Sequence, residues 1–196
     1  MSQRSDLKEA SLRRILDAGA ARLREEGLSG AGIVPVMQDA GLTHGAFYSH
    51  FANKDELMHA AFQHALLENR PRWIAHANNE TWGQRLARLA RRYLTPAHRD
   101  DLADSCALAA LASDAARADM EFRATYEMEL GKSLAAICET TEGDAPDAER
   151  LEQAIALMAL CIGGIALSRA VAGKALSNRI LAACRNAAEH IAAPGE

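Results

Sequence analysis

The sequence predicts an all-α protein, and three observations support that prediction. Apolar residues recur with helical spacing through nearly all of the 196 residues. Alanine is plentiful, whereas β-branched residues are few and aromatic residues make up only 5% of the chain, a composition that favours helices. No alternating pattern is long enough to predict a strand. The length fits one domain or two small ones, and an apolar fraction of 49% is enough for a packed core.

Composition and charge argue against several classes of protein. The net charge of −4 is unlike that of a broadly basic nucleic-acid binder, although a local DNA-reading surface needs only a few well-placed donors. The cysteines include no C-x-x-C pair, so no disulfide framework is expected. Residues 1–20 lack the apolar segment of a signal peptide. The longest apolar run, Ala154–Leu167, is shorter than the roughly 18 residues that a bilayer requires. We therefore expect a buried helix, a cytoplasmic protein and no membrane partner.

The first three helices can be placed from their apolar stripes and their ends. A helix over about residues 7–26 should stop at Gly27, because glycine readily adopts the left-handed conformation of a helix end. Two short helices follow, Ile33–Ala40 and His44–His50, on either side of Gly41. A tight turn between two short helices is what a helix-turn-helix needs.

Two capping boxes mark the starts of longer helices. Asn53 can accept from the amide of Glu56, whose carboxylate reaches back, and Thr81 with Gln84 repeats the pattern. The helix that begins at Asn53 should kink or break near residues 69–70, because Pro71 cannot donate a helical hydrogen bond.

The second half of the chain has weaker boundaries. The pair Thr95-Pro96 should stop one helix, the polar stretch 97–103 reads as a loop, and Asp104 or Ser105 should cap the next helix. A long helix carrying Tyr126 follows, and the stretch E-G-D-A-P at 142–146 is the clearest linker. The last two helices are separated at Gly173 and carry the stripes Leu151, Ile155, Met158, Ile162, Ile165 and Ile180, Cys184, Ala187, Ile191.

The segment around Gly41 carries the chemistry of a DNA-reading element. Gly41 permits the positive φ of the turn, Leu42 can pin the turn to the core, and Thr43 can cap the second helix through its hydroxyl. The residues behind the cap meet base edges in the major groove in this motif. Phe47 and Phe51, four residues apart, should face the core. An ordinary helical hairpin with an aromatic core face is the alternative reading.

Each candidate contact has a chemical reason. His44 can hydrogen-bond a base edge or a phosphate, Gly45 lets the backbone approach DNA closely, and the Ala46 methyl can touch a thymine methyl. The polar ends of Tyr48, His50 and Lys54, further along the segment, should contact phosphates. Such contacts position a protein on DNA without specifying sequence. The candidate DNA-binding residues are Thr43, His44, Gly45, Ala46, Tyr48, His50 and Lys54.

The run A-G-L-T-H-G-A-F-Y-S-H-F-A-N-K-D-E-L, Ala40–Leu57, resembles the signature of the TetR/AcrR family of transcriptional repressors, and Gly27 falls at that family's glycine after the first helix. The resemblance implies about nine helices in an all-α fold. It implies a helix-turn-helix domain at residues 1–56 and a helical domain at residues 57–196 that binds a small-molecule effector and makes a homodimer. The function implied is a repressor that binds a palindromic double-stranded DNA operator and is released by its inducer.

Two features depart from the family pattern. The second helix of the family often starts with a threonine that caps it and contacts phosphate, whereas here Gly32 stands before the helix and can cap only weakly. Residues 1–56 hold seven Lys and Arg against eight Asp and Glu. Operator affinity should therefore depend on where the cations lie and on helix N-termini, with a shallow dependence on salt.

The resemblance also suggests residues for the pocket and the dimer. The candidate pocket walls are Trp82, Cys106, Met120, Tyr126 and Met158, although such residues at helical spacing are more often plain core. Gly163-Gly164 would allow close helix approach in a dimer. The candidate dimer contacts are Ile155, Met158, Ile162, Ile180, Cys184 and Ile191.

Cys106 supports a second hypothesis. It lies near a predicted helix N-terminus, where the helix dipole favours a thiolate, while Asp104 opposes that effect. Some regulators of the resembling family sense electrophiles or oxidants through a cysteine at about this place. The chain could accordingly be a thiol-based redox or electrophile sensor, or Cys106 could be a small buried residue. The sequence offers no catalytic constellation, no metal-ligand spacing and no cofactor motif, so an enzyme is not expected.

Overall fold

In the computed structural model, the described residues are 3–75, 77, 79–139 and 147–192. Within these ranges all regular secondary structure is helical and no strand occurs, as predicted. The helices are α1 Gln3–Gly30, α2 Ile33–Asp39, α3 His44–Phe47, α4 Lys54–Trp73, α5 Trp82–Tyr93, α6 Pro96–Asp100, α7 Ala107–Ala115, α8 Met120–Cys138, α9 Ala148–Ala170 and α10 Lys174–Ala188. The predicted linker at 142–146 lies outside the described residues.

The helices form two compact units. The first comprises residues up to Glu68 together with Leu102–Tyr126, and the second comprises Asn69–Asp101 together with residues from Glu127 onward. The division falls inside α4 and α8. It groups helices by their contacts, so the predicted functional boundary after residue 56 stays a prediction.

The first unit is built around α1. This helix packs against α2 and α7, and α2 packs against α3. α1 is broken at Gly27, whose φ of 71° confirms the predicted positive φ, and one further helical turn follows the break. The fully buried side chains of this unit include Ile15, Leu23, Met37, Phe47, Leu57, Phe62, Leu108 and Leu111.

The second unit is built around α9, which packs against α5, α6 and α10. Close approach of α9 to its neighbours depends on Gly164, where a Cβ atom would lie 2.8 Å from Leu94 Cδ2 and 3.0 Å from Cys184 Sγ. The predicted break at Gly173 is confirmed, because Gly173 is the N-cap of α10. α9 is long and apolar enough by composition to cross a membrane, but one face of it is buried against its neighbours, as the sequence predicted for a core helix.

Three local predictions were wrong. α4 does not break near residues 69–70 but continues through Pro71 to Trp73, since a proline near the C-terminal end removes only one backbone hydrogen bond, and a kink there stays a prediction. The predicted loop at 97–103 contains α6, whose N-cap Thr95 accepts from the amide of His98 and whose first residue is Pro96, a favourable first-turn proline. The N-cap of α7 is Cys106, and neither Asp104 nor Ser105 holds that position.

The two predicted capping boxes form, with one difference. Thr81 accepts from the amide of Gln84, whose side chain accepts from the amide of Thr81. Asn53 Oδ1 accepts from the Glu56 amide at 2.8 Å, as predicted. The Glu56 carboxylate accepts instead from the amide of Ala52, one residue before the expected position, at 2.7 Å. The start of α4, directly after the α3 segment, is therefore fixed from both sides.

Candidate nucleic-acid interface

A hydrogen-bonded glycine turn joins α2 to α3. Gly41 has φ 63°, its amide donates to Gln38 O at 2.9 Å, and the Leu42 amide donates to Met37 O at 2.9 Å. This is the Schellman pattern of a helix end, in which the positive φ is supplied by glycine. The turn that the sequence predicted at Gly41 is confirmed, and it sets the direction in which α3 leaves α2.

Two arginines of α1 form hydrogen bonds to this turn and to the end of α2. Arg14 Nη2 donates to the carbonyl oxygen of Gly41 at 3.1 Å and would lie 2.6 Å from a Cβ atom at that position. Arg22 Nε donates to Asp39 Oδ2 at 2.6 Å, at the last residue of α2. Sequence reasoning counted both residues only as cations. Their anchoring roles depend on which face of α1 meets α2, which no local motif reveals.

α3 is shorter than predicted but continues into a hydrogen-bonded turn. The helix covers His44–Phe47, and the amides of Ser49, His50 and Phe51 donate to Ala46 O, Phe47 O and Phe47 O. Its inner side is aromatic, with Phe47 fully buried and Phe51 6% exposed. Their ring centroids lie 5.8 Å apart, so the two rings anchor the segment as the sequence predicted.

The outer side of the segment forms what we call the reading face, comprising Thr43, His44, Gly45 and Tyr48. All four residues are exposed, and the Tyr48 side chain retains 65% of its accessible surface. The rings of His44 and Tyr48 meet edge to face at 5.7 Å. Ala46 is half-buried beside them. The structure thus brings together four of the seven predicted DNA-binding residues on one exposed surface.

Gly45 has no packing role within the chain. A Cβ atom there would meet nothing within 4 Å, and the residue does not require a positive φ. A glycine that the fold itself does not need leaves open space directly in front of α3.

Thr43 holds the predicted position but not the predicted bond. It is the N-cap of α3 with extended backbone angles, yet its side chain makes no capping hydrogen bond. Gly32, the N-cap of α2, likewise makes none, as expected for a glycine. Neither short helix is therefore capped by a side chain, and both depend on packing and on the anchors from α1.

His50 and Lys54, which follow the reading face along the chain, both contact the protein itself. His50 is half-buried, and its Nε2 lies 3.2 Å from Ser11 Oγ of α1. Burial, with a smaller contribution from the Lys8 ammonium, lowers the pKa of His50 below its ordinary value. Lys54 Nζ lies 3.5 Å from the carbonyl oxygen of Ser29.

The structure brings together two of the five predicted pocket residues. Cys106 is buried at the N-cap of α7, close enough to Tyr126 to help raise the pKa of its phenol, although burial is the larger cause. The Tyr126 hydroxyl donates to Leu108 O at 2.8 Å, and its ring stacks on Phe62 at 5.7 Å.

The other three pocket candidates have different surroundings. Met120 is 75% exposed at the first residue of α8, and Met158 is buried in the second unit. The indole of Trp82 is half-buried, donates to Gln153 Oε1 at 2.5 Å and lies under the Arg150 guanidinium.

The predicted dimer residues also differ in exposure. Ile155 is 48% exposed, whereas Met158 is buried and Ile162, Ile180, Cys184 and Ile191 are half-buried. Sequence reasoning missed Leu167 and Leu176, which are 59% and 54% exposed. Both faces of α9 are apolar, so periodicity alone could not separate the inner stripe from the outer one.

Comparison with known proteins identifies the exposed helix-turn-helix. Residues 15–61 match the family described as bacterial regulatory proteins, tetR family. The helix-turn-helix segment of this chain is therefore that of the TetR family. The matched segment contains Arg22, the glycine turn and the whole reading face, and Arg14 lies one residue before its start. The resemblance that the sequence suggested is confirmed.

Solved structures with the same fold extend over the whole chain. A TetR family regulator from Cytophaga hutchinsonii is 20% identical with a TM-score of 0.71, and the match covers 100% of this chain and 99% of that one. A TetR regulator from Chloroflexus aurantiacus is 18% identical with a TM-score of 0.76, covering 96% and 97%. Reduced NemR of E. coli is 17% identical with a TM-score of 0.73, covering 95% and 99%. No curated protein sequence matches the chain significantly.

These comparisons support a TetR family transcriptional regulator, and they show a TetR-like fold with an N-terminal helix-turn-helix and a helical C-terminal region. Members of the family are typically dimeric, and regulation by a ligand is typical of them. Identities near one fifth show the shared fold alone. In the described part of the chain, no three His, Cys, Asp or Glu side chains come together as metal ligands.

Proposed function

We propose that this TetR family protein is a ligand-responsive repressor that binds a palindromic DNA operator as a homodimer and is released by a small-molecule effector. The observation that carries the proposal is the reading face, an exposed surface on a segment whose other side is fixed by buried Phe47 and Phe51. A helix held in this way can enter the major groove without rearrangement of the core.

The reading face has the chemistry of base and backbone contact. The Thr43 hydroxyl makes no capping bond, so it is available to accept from or donate to DNA. The His44 imidazole can bond a base edge, the Tyr48 hydroxyl can bond a phosphate, and the open space at Gly45 allows the bases to approach the backbone. Ala46 offers a methyl group for a thymine methyl. Beside them, His50 and Lys54 would position the segment against the phosphates.

A second exposed surface supports the homodimer. On α9 and α10 we define the pairing face as Ile155, Ala159, Gly163, Leu167 and Leu176. Its three large side chains are about half exposed, and a Cβ atom at Gly163 would meet nothing within 4 Å. An apolar stripe of this kind, with a glycine that allows close helix approach, suits a twofold interface with a second copy. The half-buried Ile162, Ile180, Cys184 and Ile191 would flank it.

The effector would act by preferring one conformation. A ligand shifts operator binding only by its differential affinity for the binding and non-binding states. We assign the effector to the helical C-terminal region, with Trp82, Cys106, Met120, Tyr126 and Met158 as candidate contacts. Of these, buried Cys106 and half-buried Tyr126 are the best supported, because the Tyr126 hydroxyl donates to Leu108 O, two residues after Cys106 at the start of α7.

The alternative, a thiol-based sensor acting through Cys106, stays a prediction. The side chain is only 5% exposed, so an oxidant or electrophile would have to reach a buried thiol. If Cys106 is the sensor, Cys106→Ser abolishes release of DNA by oxidants. We place the regulator in the cytoplasm with its DNA, without a membrane partner, and propose neither a catalytic role nor a cofactor, since TetR family members are generally non-enzymatic.

The proposal is tested by fluorescence anisotropy with a duplex selected by the protein from random DNA. We expect His44→Ala and Tyr48→Ala to weaken binding by about 1–3 kcal/mol each, from about fivefold to more than a hundredfold. Because both side chains are exposed, the thermal unfolding midpoint should stay unchanged. Leu67→Ala, also at an exposed position (68%), is the matched control. Unchanged affinity in both reading-face variants contradicts the proposal.

A further inference from the structure

A carboxylate on α7, outside the helix-turn-helix, completes the break in α1. At Gly27 the chain leaves the helical conformation, with φ 71° and ψ −177°, and the carbonyl oxygen of Gly27 then accepts from the amide of Ala31 to begin a new turn. The Leu28 amide donates to Oδ2 of Asp114 at 2.9 Å. Asp114 thus satisfies one of the amides that a new helical turn leaves unpaired at its start.

Gly27 and Asp114 also fit each other sterically. A Cβ atom at position 27 would lie 2.3 Å from Asp114 Oδ2, and the two next nearest heavy atoms, at 3.4 and 3.8 Å, belong to the same carboxylate. Glycine is therefore required there for two reasons, the positive φ and the carboxylate in front of it. A second hydrogen bond forms just before the break, where Arg24 Nε donates to Ala103 O at 2.5 Å.

The turn held by Asp114 leads directly into α2. Residues 28–31 connect the break at Gly27 to Gly32. Gly32 is the N-cap of α2 and makes no side-chain capping bond. On the other side of this connection, Lys54 approaches Ser29 O. The side chain of Ala31, within this connection, is fully buried. Because α2 lacks a cap of its own, its placement depends on how this connection is held.

We infer that Asp114 is a positioning residue for operator binding. It acts on DNA through the turn at residues 28–31 and through α2, which sets the direction of α3, and it makes no contact with DNA itself. This inference rests on the proposed function. It follows that a displacement of α7 would change the position of the reading face.

The sign of the effect separates this role from simple electrostatics. Asp114→Ala removes a negative charge, which by itself strengthens binding to a polyanion. Loss of the hydrogen bond instead predicts weaker binding, by about tenfold or more, which corresponds to about 1.4 kcal/mol. Asp114→Asn removes the same charge but keeps an acceptor for the Leu28 amide, so it should restore most of the affinity lost in the alanine variant.

The experiment measures the affinity of wild type, Asp114→Ala and Asp114→Asn for the selected duplex at a temperature where all three are folded by circular dichroism. Arg117→Ala is the matched control, since the 72% exposed Arg117 side chain only pairs with Asp114 from solvent. Its affinity should change by less than about twofold. If the alanine variant binds as tightly as wild type, or more tightly, the inference is wrong while the proposed function stands. If wild type selects no duplex, both are wrong.

A measurement on the unaltered protein decides the matter if Asp114→Ala does not fold. Coupling between two sites is reciprocal, so if the hydrogen bond from the Leu28 amide to Asp114 favours operator binding, operator binding must in turn favour that hydrogen bond. Hydrogen exchange of the Leu28 amide should therefore slow by about tenfold or more when the duplex binds. An exchange rate that does not change on binding overturns the inference.

Discussion

The reading face exposes polar side chains, whereas the pairing face exposes apolar ones. The reading face lies on a helix of four residues, and its polar side chains stand on two buried aromatic rings. The pairing face follows the 23-residue α9 and the start of α10, and it exposes Ile155, Leu167 and Leu176. A short polar surface needs a rigid support from its own chain, whereas an extended apolar surface is stable in water only when another surface covers it. A single protomer can therefore present a complete reading face to DNA, whereas the pairing face needs a second protomer to cover it.

The largest expected effect comes from charging the pairing face. In a twofold dimer Leu167→Asp introduces two buried, unpaired carboxylates, and the cost of about 3 kcal/mol or more for each predicts a loss of about ten-thousandfold in dimer affinity. Sedimentation equilibrium should show a monomer at concentrations where wild type is a dimer. Leu67→Asp, at an exposed leucine of α4, is the control and should leave the association unchanged. A dimeric Leu167→Asp variant would mean that a different surface pairs the protomers.

The next largest effect is a loss of stability in acid, and it should arise in the second unit from His98. His98 lies in the second unit, 4% exposed, with its Nδ1 donating to Tyr93 O at 2.8 Å and its ring beside Trp73. Burial, assisted by the charges of Arg169 and Arg72 and opposed by the Tyr93 carbonyl, lowers the pKa of His98 from 6.5 to about 4. The unfolded chain therefore binds more protons than the folded chain between these two values, so stability falls as the pH drops through that window.

The size of this acid effect is about 3 kcal/mol in the free energy of unfolding between pH 7 and pH 4. Urea unfolding across this range measures it. His98→Asn can still donate to Tyr93 O but does not titrate, so it should lose most of this pH dependence. The same slope in wild type and variant would show that His98 is not the group responsible.

The smallest expected effect concerns the cations around the reading face. Lys54→Ala should lower operator affinity and reduce the slope of log affinity against log salt by about 1 per protomer, as expected for a lost phosphate contact. Arg22 is bonded to Asp39 and Glu26, so Arg22→Ala should leave the slope unchanged even if affinity falls. Anisotropy titrations at several salt concentrations measure both variants. Equal changes in slope would show that the internal bonds of Arg22 do not keep it from DNA.

The reading face could be predicted from sequence because its determinants are local. The turn at Gly41 and the aromatic pair Phe47 and Phe51 formed as expected. The bond from the Glu56 amide to Asn53 also formed, although the Glu56 carboxylate bonds the Ala52 amide and not that of Asn53. Capping by Thr43 did not form, because the hydroxyl of an exposed N-cap need not bond to its own helix.

The features that sequence reasoning missed depend on distant partners. Arg14 and Arg22 were counted as cations, but packing of α1 on α2 turns them into anchors of the turn. Asp114 is 87 positions from Gly27 along the chain, and only the packing of α7 on α1 brings them together. On α9, where both faces are apolar, the outer stripe became evident only after α5, α6 and α10 covered the inner one.

Selection from random duplex DNA tests the central claim most directly, that two copies of the reading face together recognise one operator. The account predicts enrichment of an inverted repeat whose half-site centres are about one helical turn apart or a multiple of it, bound by two protomers or a multiple of two. Failure to enrich any sequence, or enrichment of an asymmetric site bound by a single protomer, would contradict it.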